Sequence, residues 1–404
     1  VTLHALAGAI TSNNPALLRQ ILAQNPALHS QLDQPLPNYS FGTPAILAAV
    51  NQSNREAIDV LLAAGASINA RSHWWAGSFG VLDVATPELA PFLIERGAIV
   101  DVHAAARLGM FEQLRFLIDA DPALVHARGG DGQTPLHFAA TVEIARYLLD
   151  HGADINSTDI DHESTPAQYM VSAQPHRHSV ARYLIERGAN TDLLMAAALG
   201  DTDLVLRHLD ANPESIHICV SEQYFPKRNP ESGGSIYIFC FGWGKTPHSL
   251  AREFGHDNVF QLLMKRSPAP LRLAQACEMH DASLVQELLA TNPEIAQSLQ
   301  PSAILAASFR NDTTTVSLML QAGWPAHVRG DQGQTPLHNA AYHGNLQMVR
   351  ELLRYNAPRE VREQQYDGTP LDWARHGAEH SWHRQTGDYQ QTIQALLHNE
   401  GDII

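Results

Sequence analysis

The feature that most limits what this chain can fold into is a five-residue phrase that it spells twice. Gln133-Thr134-Pro135-Leu136-His137 returns as Gln334-Thr335-Pro336-Leu337-His338. Weaker copies stand at Gly42-Thr43-Pro44-Ala45, Ser164-Thr165-Pro166-Ala167, Lys245-Thr246-Pro247-His248 and Gly368-Thr369-Pro370-Leu371. A second phrase recurs at a helical distance from many of these starts. It reads Val60-Leu61-Leu62-Ala63-Ala64-Gly65-Ala66, Tyr147-Leu148-Leu149-Asp150-His151-Gly152-Ala153 and Tyr183-Leu184-Ile185-Glu186-Arg187-Gly188-Ala189. The chain has 404 residues, more than one ordinary core organises. Self-similarity at this spacing means growth by repetition, each unit leaning on its neighbours.

Each residue type in the two phrases has a physical role. The threonine hydroxyl caps the first helix of a unit, and proline fits its first turn. The leucine and the alanines that follow form a narrow, apolar inner helix. The leucine pair faces inward from an outer helix. Glycine ends that outer helix in a left-handed conformation that other residues resist. In four units proline is expected to stop the outer helix instead, at Asn25-Pro26-Ala27, Asp121-Pro122-Ala123, Asn212-Pro213-Glu214 and Asn292-Pro293-Glu294.

These phrases resemble the ankyrin repeat, and the resemblance covers nearly the whole chain. It implies an all-α solenoid with short β-hairpin fingers, built from about twelve units. They would start near Thr2, Gly42, Gly80, Asp101, Gly132, Ser164, Asp192, Gly244, Pro270, Ser302, Gly333 and Gly368. Residues 1–404 would form a single stack, its last unit ending with Gly401-Asp402-Ile403-Ile404 and serving as a solvated end cap through an outer helix that carries Gln390, Gln391, Gln394 and His398. It further implies that the His137 and His338 imidazoles tie adjacent backbones, and that the concave groove recognises a protein partner.

Departures from the repeat are the better pointers to a specific site, because loops on a rigid scaffold carry binding groups. The longest is an aromatic insertion over 218–244. Its second half, Ser235-Ile236-Tyr237-Ile238-Phe239-Cys240-Phe241-Gly242-Trp243, is rich in β-branched and aromatic residues. With Gly233-Gly234 as the turn, it reads as one long β-hairpin. Two readings stay open: Tyr224, Tyr237 and Trp243 wall a ligand, or the aromatics plug the groove as local core. A Trp/His-rich insertion over 378–389 separates the last two helices. There the register sets His376, His380 and His383 astride a helix end and a loop, so no metal site is expected of them. A smaller insertion holds Pro175, His176, Arg177 and His178. Tyr39, Phe41, Trp74, Trp75 and Tyr366 fall on fingers, which line one edge of the groove; aromatics there suit protein hot spots and equally suit stacking on sugar rings.

Composition narrows the functions. The formal charge is −15, with 27 Lys plus Arg against 42 Asp plus Glu, which disfavours nucleic acid as a partner. No apolar run is long enough to cross a membrane. Three cysteines without CxxC spacing read as free thiols, although Cys219 and Cys240 flank one insertion. A cytoplasmic location follows by default; the chain begins at Val1, so an exported form with a removed signal stays open. No phosphate loop, G-x-S-x-G elbow or HExxH is present, and neither cofactor nor metal is expected. Finger acids include Asp131, Asp159, Asp161, Glu163, Glu222, Asp331 and Asp367. The expected function is a scaffold for a protein partner. The alternative is a small-molecule or carbohydrate groove in which paired carboxylates and aromatics act on glycosides.

Overall fold

The computed structural model describes residues 3–398. Thr2 and the Gly401-Asp402-Ile403-Ile404 end of the expected cap lie outside the described residues. Short inner helices alternate with longer outer ones: Ala45–Asn51 with Arg55–Ala63, Pro166–Ser172 with His178–Glu186, Pro336–Tyr342 with Leu346–Arg354. The inner helix is small enough to be covered on all sides, and Ala45 to Val50 are all buried. The outer helix buries only one stripe, as in Ile144, Ala145 and Leu148 of Val142–Asp150. Each such leucine or isoleucine contributes about 1.5–3 kcal/mol on leaving water.

The chain divides into two compact units. One runs to Met195 and takes in Ser221–Phe241; the other comprises Ala196–Val220 and the chain from Gly242 onward. The first has a core that includes Leu6, Ile46, Leu61 and Leu93, the second one that includes Leu273, Ile304, Leu337 and Leu352. Among the described residues no helix is long and apolar enough to cross a membrane. None of Cys219, Cys240 and Cys277 is joined in a disulfide.

The repeated phrases do locally what their chemistry dictates. Thr165, Thr246 and Thr369 accept hydrogen bonds from the N–H groups of Gln168, Ser249 and Asp372, capping their helices. In the two full phrases the hydroxyl faces a histidine ring instead. His137 Nδ1 accepts from the Thr134 N–H at 3.1 Å, and Nε2 donates to the Ser164 carbonyl of the next unit at 3.1 Å. His338 repeats this geometry with Thr335 and the Gly368 carbonyl. The proline-stopped helices end at Gln24, Ala120, Ala211 and Thr291, each followed by a stretch of 3₁₀ helix.

Two expectations fail. Among the described residues there is no β-strand, so neither the β-hairpin fingers nor the long β-hairpin insertion exists. Each finger is instead a tight turn closed by an isolated backbone bond: Gly129 N–H to Gln133 O, Asp159 N–H to Ser164 O, Gly330 N–H to Gln334 O. Residues in the left-handed region, Asp131, Glu163 and Asp367 among them, interrupt any extended run. In the insertion, Ile236–Cys240 is a short α-helix capped by Ser235. A lone ribbon would have left backbone groups unpaired, whereas the helical turn pairs the Phe241 N–H with the Tyr237 carbonyl. The turn also puts Ile236, Tyr237 and Phe241 on one buried face and leaves Phe239 outside. A smaller correction concerns Pro370–His380, which continues past Gly377 and carries His376 and His380 on one helix.

Candidate functional site

The fingers of the first unit hold the densest chemistry among the described residues. Successive fingers are joined by backbone bonds. The His73 N–H donates to Gly42 O, and the N–H groups of Ile160 and Asp161 both donate to Asp131 O, at 2.8 and 3.1 Å. The insertion extends the series, because the Gly233 N–H donates to Asp161 O at 2.9 Å. The finger at 72–79 presses directly on the one at 129–132. A methyl group on Gly130 would stand 2.3 Å from the Phe79 ring.

This stacking gathers Asp131, Asp159, Asp161 and His162. Asp159 is fully engaged: it accepts from the N–H groups of His162 and Ser164 and from the Tyr169 hydroxyl. Asp161 Oδ1 accepts from the Gly233 N–H at 3.1 Å. His162 Nδ1 lies 3.1 Å from the Gly234 carbonyl. Its Nε2 stands 3.8 Å from Asp131 Oδ2 and 3.7 Å from Asp161 Oδ2. Burial, reinforced by the neighbouring charges of Asp161 and Asp159, pushes the Asp131 carboxyl up to about 6 against the pull of His162. Burial likewise raises Asp159. The Trp74 indole faces Asp131, yet its Nε1 and Asp131 Oδ1 are both buried without a hydrogen-bond partner.

Aromatic rings border this cluster on both sides. Phe41 packs edge-on to Trp74 at 4.7 Å, and Trp74 to Trp75 at 6.1 Å. Phe239 of the insertion covers His162 at 4.8 Å. Phe41, Trp75, Ile160 and Phe239 are exposed, Phe239 by 60%. An apolar rim around buried carboxylates can hold a cationic, partly apolar group or a cation.

Of the residues expected to form the site, Trp74, Trp75 and Asp131 come together here. Tyr237 does not: it is fully buried, stacks on Phe241 and donates its hydroxyl to Asp192 at 3.0 Å, which makes it local core. Tyr39 bonds through its hydroxyl to Thr11, and Tyr224 is half-buried. Glu222 is exposed and 3.5 Å from Lys227. Trp243, Asp331, Tyr366 and Asp367 belong to the second unit, exposed, with Tyr366 at 74%. Sequence reading did not single out His162 or Phe239. The run Asp159-Ile160-Asp161-His162 at a finger was the available signal.

Glu163 has a different job from the one expected. Its carboxylate accepts from the N–H groups of Arg228 and Asn229, at 2.9 and 2.7 Å, and from Arg228 Nε. Those hydrogen bonds hold its carboxyl below the usual range, against burial. Glu163 therefore fastens the insertion to the finger. Glu163→Gln is expected to lose about 1–3 kcal/mol of local stability. Amide exchange at Arg228 and Asn229 should quicken at least tenfold; unchanged exchange there would refute the assignment.

A shallow concavity of about 630 Å³ lies elsewhere, against Leu3, His4, Asn25–Leu28 and Pro35–Pro37. Its walls carry no carboxylate, so it offers no carboxylate pair for glycoside chemistry. His376 and His380 have rings 4.4 Å apart, and His383 packs on His343 beyond the helix end.

A family model described as ankyrin repeats in three copies matches residues 102–195 and 273–403, more than half of the chain. The chain is 29% identical over 125 residues to the rat ankyrin repeat and SAM domain-containing protein 6, covering 30% of this chain and 14% of the rat protein. It is 30% identical over 128 residues to an ankyrin repeat protein of fowlpox virus, 37% of whose length is covered. An E3 ubiquitin-protein ligase, KEG, of Arabidopsis thaliana is 22% identical over 289 residues, or 65% of this chain and 18% of that one. The chain thus spans well under half of each of these relatives. Repeats of this kind generally mediate contacts between proteins. The match over both segments and the twice-built threonine–histidine clasp lead to one conclusion: the chain belongs to the ankyrin-repeat family.

Proposed function

We propose that this chain is a recognition scaffold whose fingers in the first unit bind a protein segment carrying a basic residue flanked by apolar ones. The observation that carries this reading is the exposed rim of Phe41, Trp75, Ile160 and Phe239 around the buried carboxylates of Asp131 and Asp161. Large rings held by rigid neighbours give contact area at little entropic cost, and such anchors dominate binding energy. A net charge of −15 favours a basic partner through steering and complementarity. Glycoside chemistry has less support, since the acids best placed for it are committed to the finger backbone or stand beside His162.

Selection from a library of random peptides tests the reading. Enriched sequences should pair Lys or Arg with aromatic or aliphatic residues. Trp75→Ala with Phe239→Ala should weaken the best peptide by about 30-fold or more, the loss of about 2 kcal/mol typical of a hot spot. Enrichment of acidic peptides, or affinity indifferent to both substitutions, would overturn it.

A further inference from the structure

His162 Nε2 faces two carboxylates and no hydrogen-bond partner at ordinary distance. The Gly234 carbonyl can only accept, so His162 Nδ1 carries the hydrogen of that 3.1 Å contact. In the neutral ring, Nε2 then presents a bare lone pair to Asp131 Oδ2 and Asp161 Oδ2. Three electron-rich atoms face one another.

The side chains of Asp161 and His162 are also held in place. That of Asp161 is only 8% exposed; its Oδ1 is taken by the Gly233 N–H, which leaves Oδ2 turned towards the imidazole. Asp131 and Asp161 are joined through the Asp131 carbonyl and the Asp161 N–H. Ligand atoms from all three residues lie within 4.8 Å of one another. In a tetrahedral zinc shell with ligands at ~2.0–2.1 Å, neighbouring donor atoms are about 3.4 Å apart, so the imidazole–carboxylate gaps of 3.8 and 3.7 Å need close by only about 0.4 Å, and the two carboxylates by at most about 1.4 Å.

We propose that Asp131, Asp161 and His162 form a divalent-cation site suited to Zn2+. One imidazole and two carboxylates are the donor set for which zinc outcompetes the harder Mg2+ and Ca2+. The carbonyl on His162 Nδ1 and the amide on Asp161 Oδ1 are the outer contacts that fix ligand orientation in such sites. Three protein ligands leave a fourth position for water. The ion would bridge the fingers at 129–133 and 159–164, whose outer contacts come from the insertion; it would take the same Asp131 and Asp161 carboxylates as a partner's basic side chain and compete with it, so it is tested without a partner.

The test is titration of chelator-treated full-length protein with Zn2+ by calorimetry, and with Co2+ by visible absorption, without any partner present. One equivalent should bind at micromolar affinity or tighter. His162→Ala and Asp161→Asn should each weaken that site by at least about 100-fold, while weak binding by the other histidines stays unchanged. Asp161→Asn retains the acceptor for the Gly233 N–H, so it decides the matter if circular dichroism shows His162→Ala misfolded. A missing one-equivalent site in the wild type, or a site that survives Asp161→Asn, would overturn the proposal.

Discussion

Acidification from pH 7 to pH 4.5 should destabilise the second unit by about 2–3 kcal/mol through His248 alone. His248 is buried, and burial lowers its pKa to about 4. Its Nε2 donates to Ser267 Oγ, whose own hydrogen goes to the Leu263 carbonyl. Its Nδ1 is buried with no partner, so a second proton would sit uncompensated. The unfolded chain takes up that proton near pH 6.5 and the folded one only near 4, so stability falls as pH drops through this window and levels off below it. His338 and His343, also lowered by burial, push the same way. Asp312, Glu363 and Asp372 have lowered pKa values, so their contribution is lost only at more acidic pH.

In the first unit His137 is lowered to about 3 by burial, with the nearby Arg128 charge adding to it. Its loss is partly offset by Asp131, raised to about 6, and by Asp83 and Asp159, also raised. These carboxyls bind protons more readily when folded and so gain stability on acidification. Urea unfolding at pH 7, 5.5 and 4.5, read by amide exchange in each unit, should show the steeper loss in the second. His248→Gln should flatten it. A midpoint independent of pH over that range would contradict the account.

Gly77→Ala should cost about 3 kcal/mol or more and disrupt the finger site with it. Gly77 has φ +145, and a methyl there would stand 2.1 Å from the Gly129 carbonyl oxygen and 3.0 Å from the Gly132 nitrogen. Both are backbone atoms of the neighbouring finger, so no side chain can swing aside. Relief requires separating the 72–79 finger from Asp131, which carries Trp74 and Trp75 away. Gly65→Ala is the matched control: φ is +96, and no atom lies within 4 Å of the added carbon. It should cost only about 1–2 kcal/mol of backbone strain. Equal destabilisation by the two, or an unchanged Trp74 environment in Gly77→Ala, would show that the fingers are not pressed together as described.

Much of the fold was legible because its determinants are local. A proline in a first turn, a glycine after a leucine pair and a histidine three residues beyond a threonine act within one or two helical turns. The repeats therefore announce the family. The insertion was misread for the opposite reason. Ser235–Trp243 has strand-forming residues but no partner strand, and a helical turn satisfies its own backbone while burying Tyr237. The finger site was half legible: Trp74, Trp75 and Asp131 stood out by type and position, whereas His162 did not. Outside the two insertions, the chain's order alone specified which segments become helices and where they stop, since those choices depend on neighbours a few residues away. Only the tertiary structure decided that Asp131 meets His162 and that Glu163 holds Arg228. Those contacts join residues far apart in the chain, and stacking, not propensity, sets their distances.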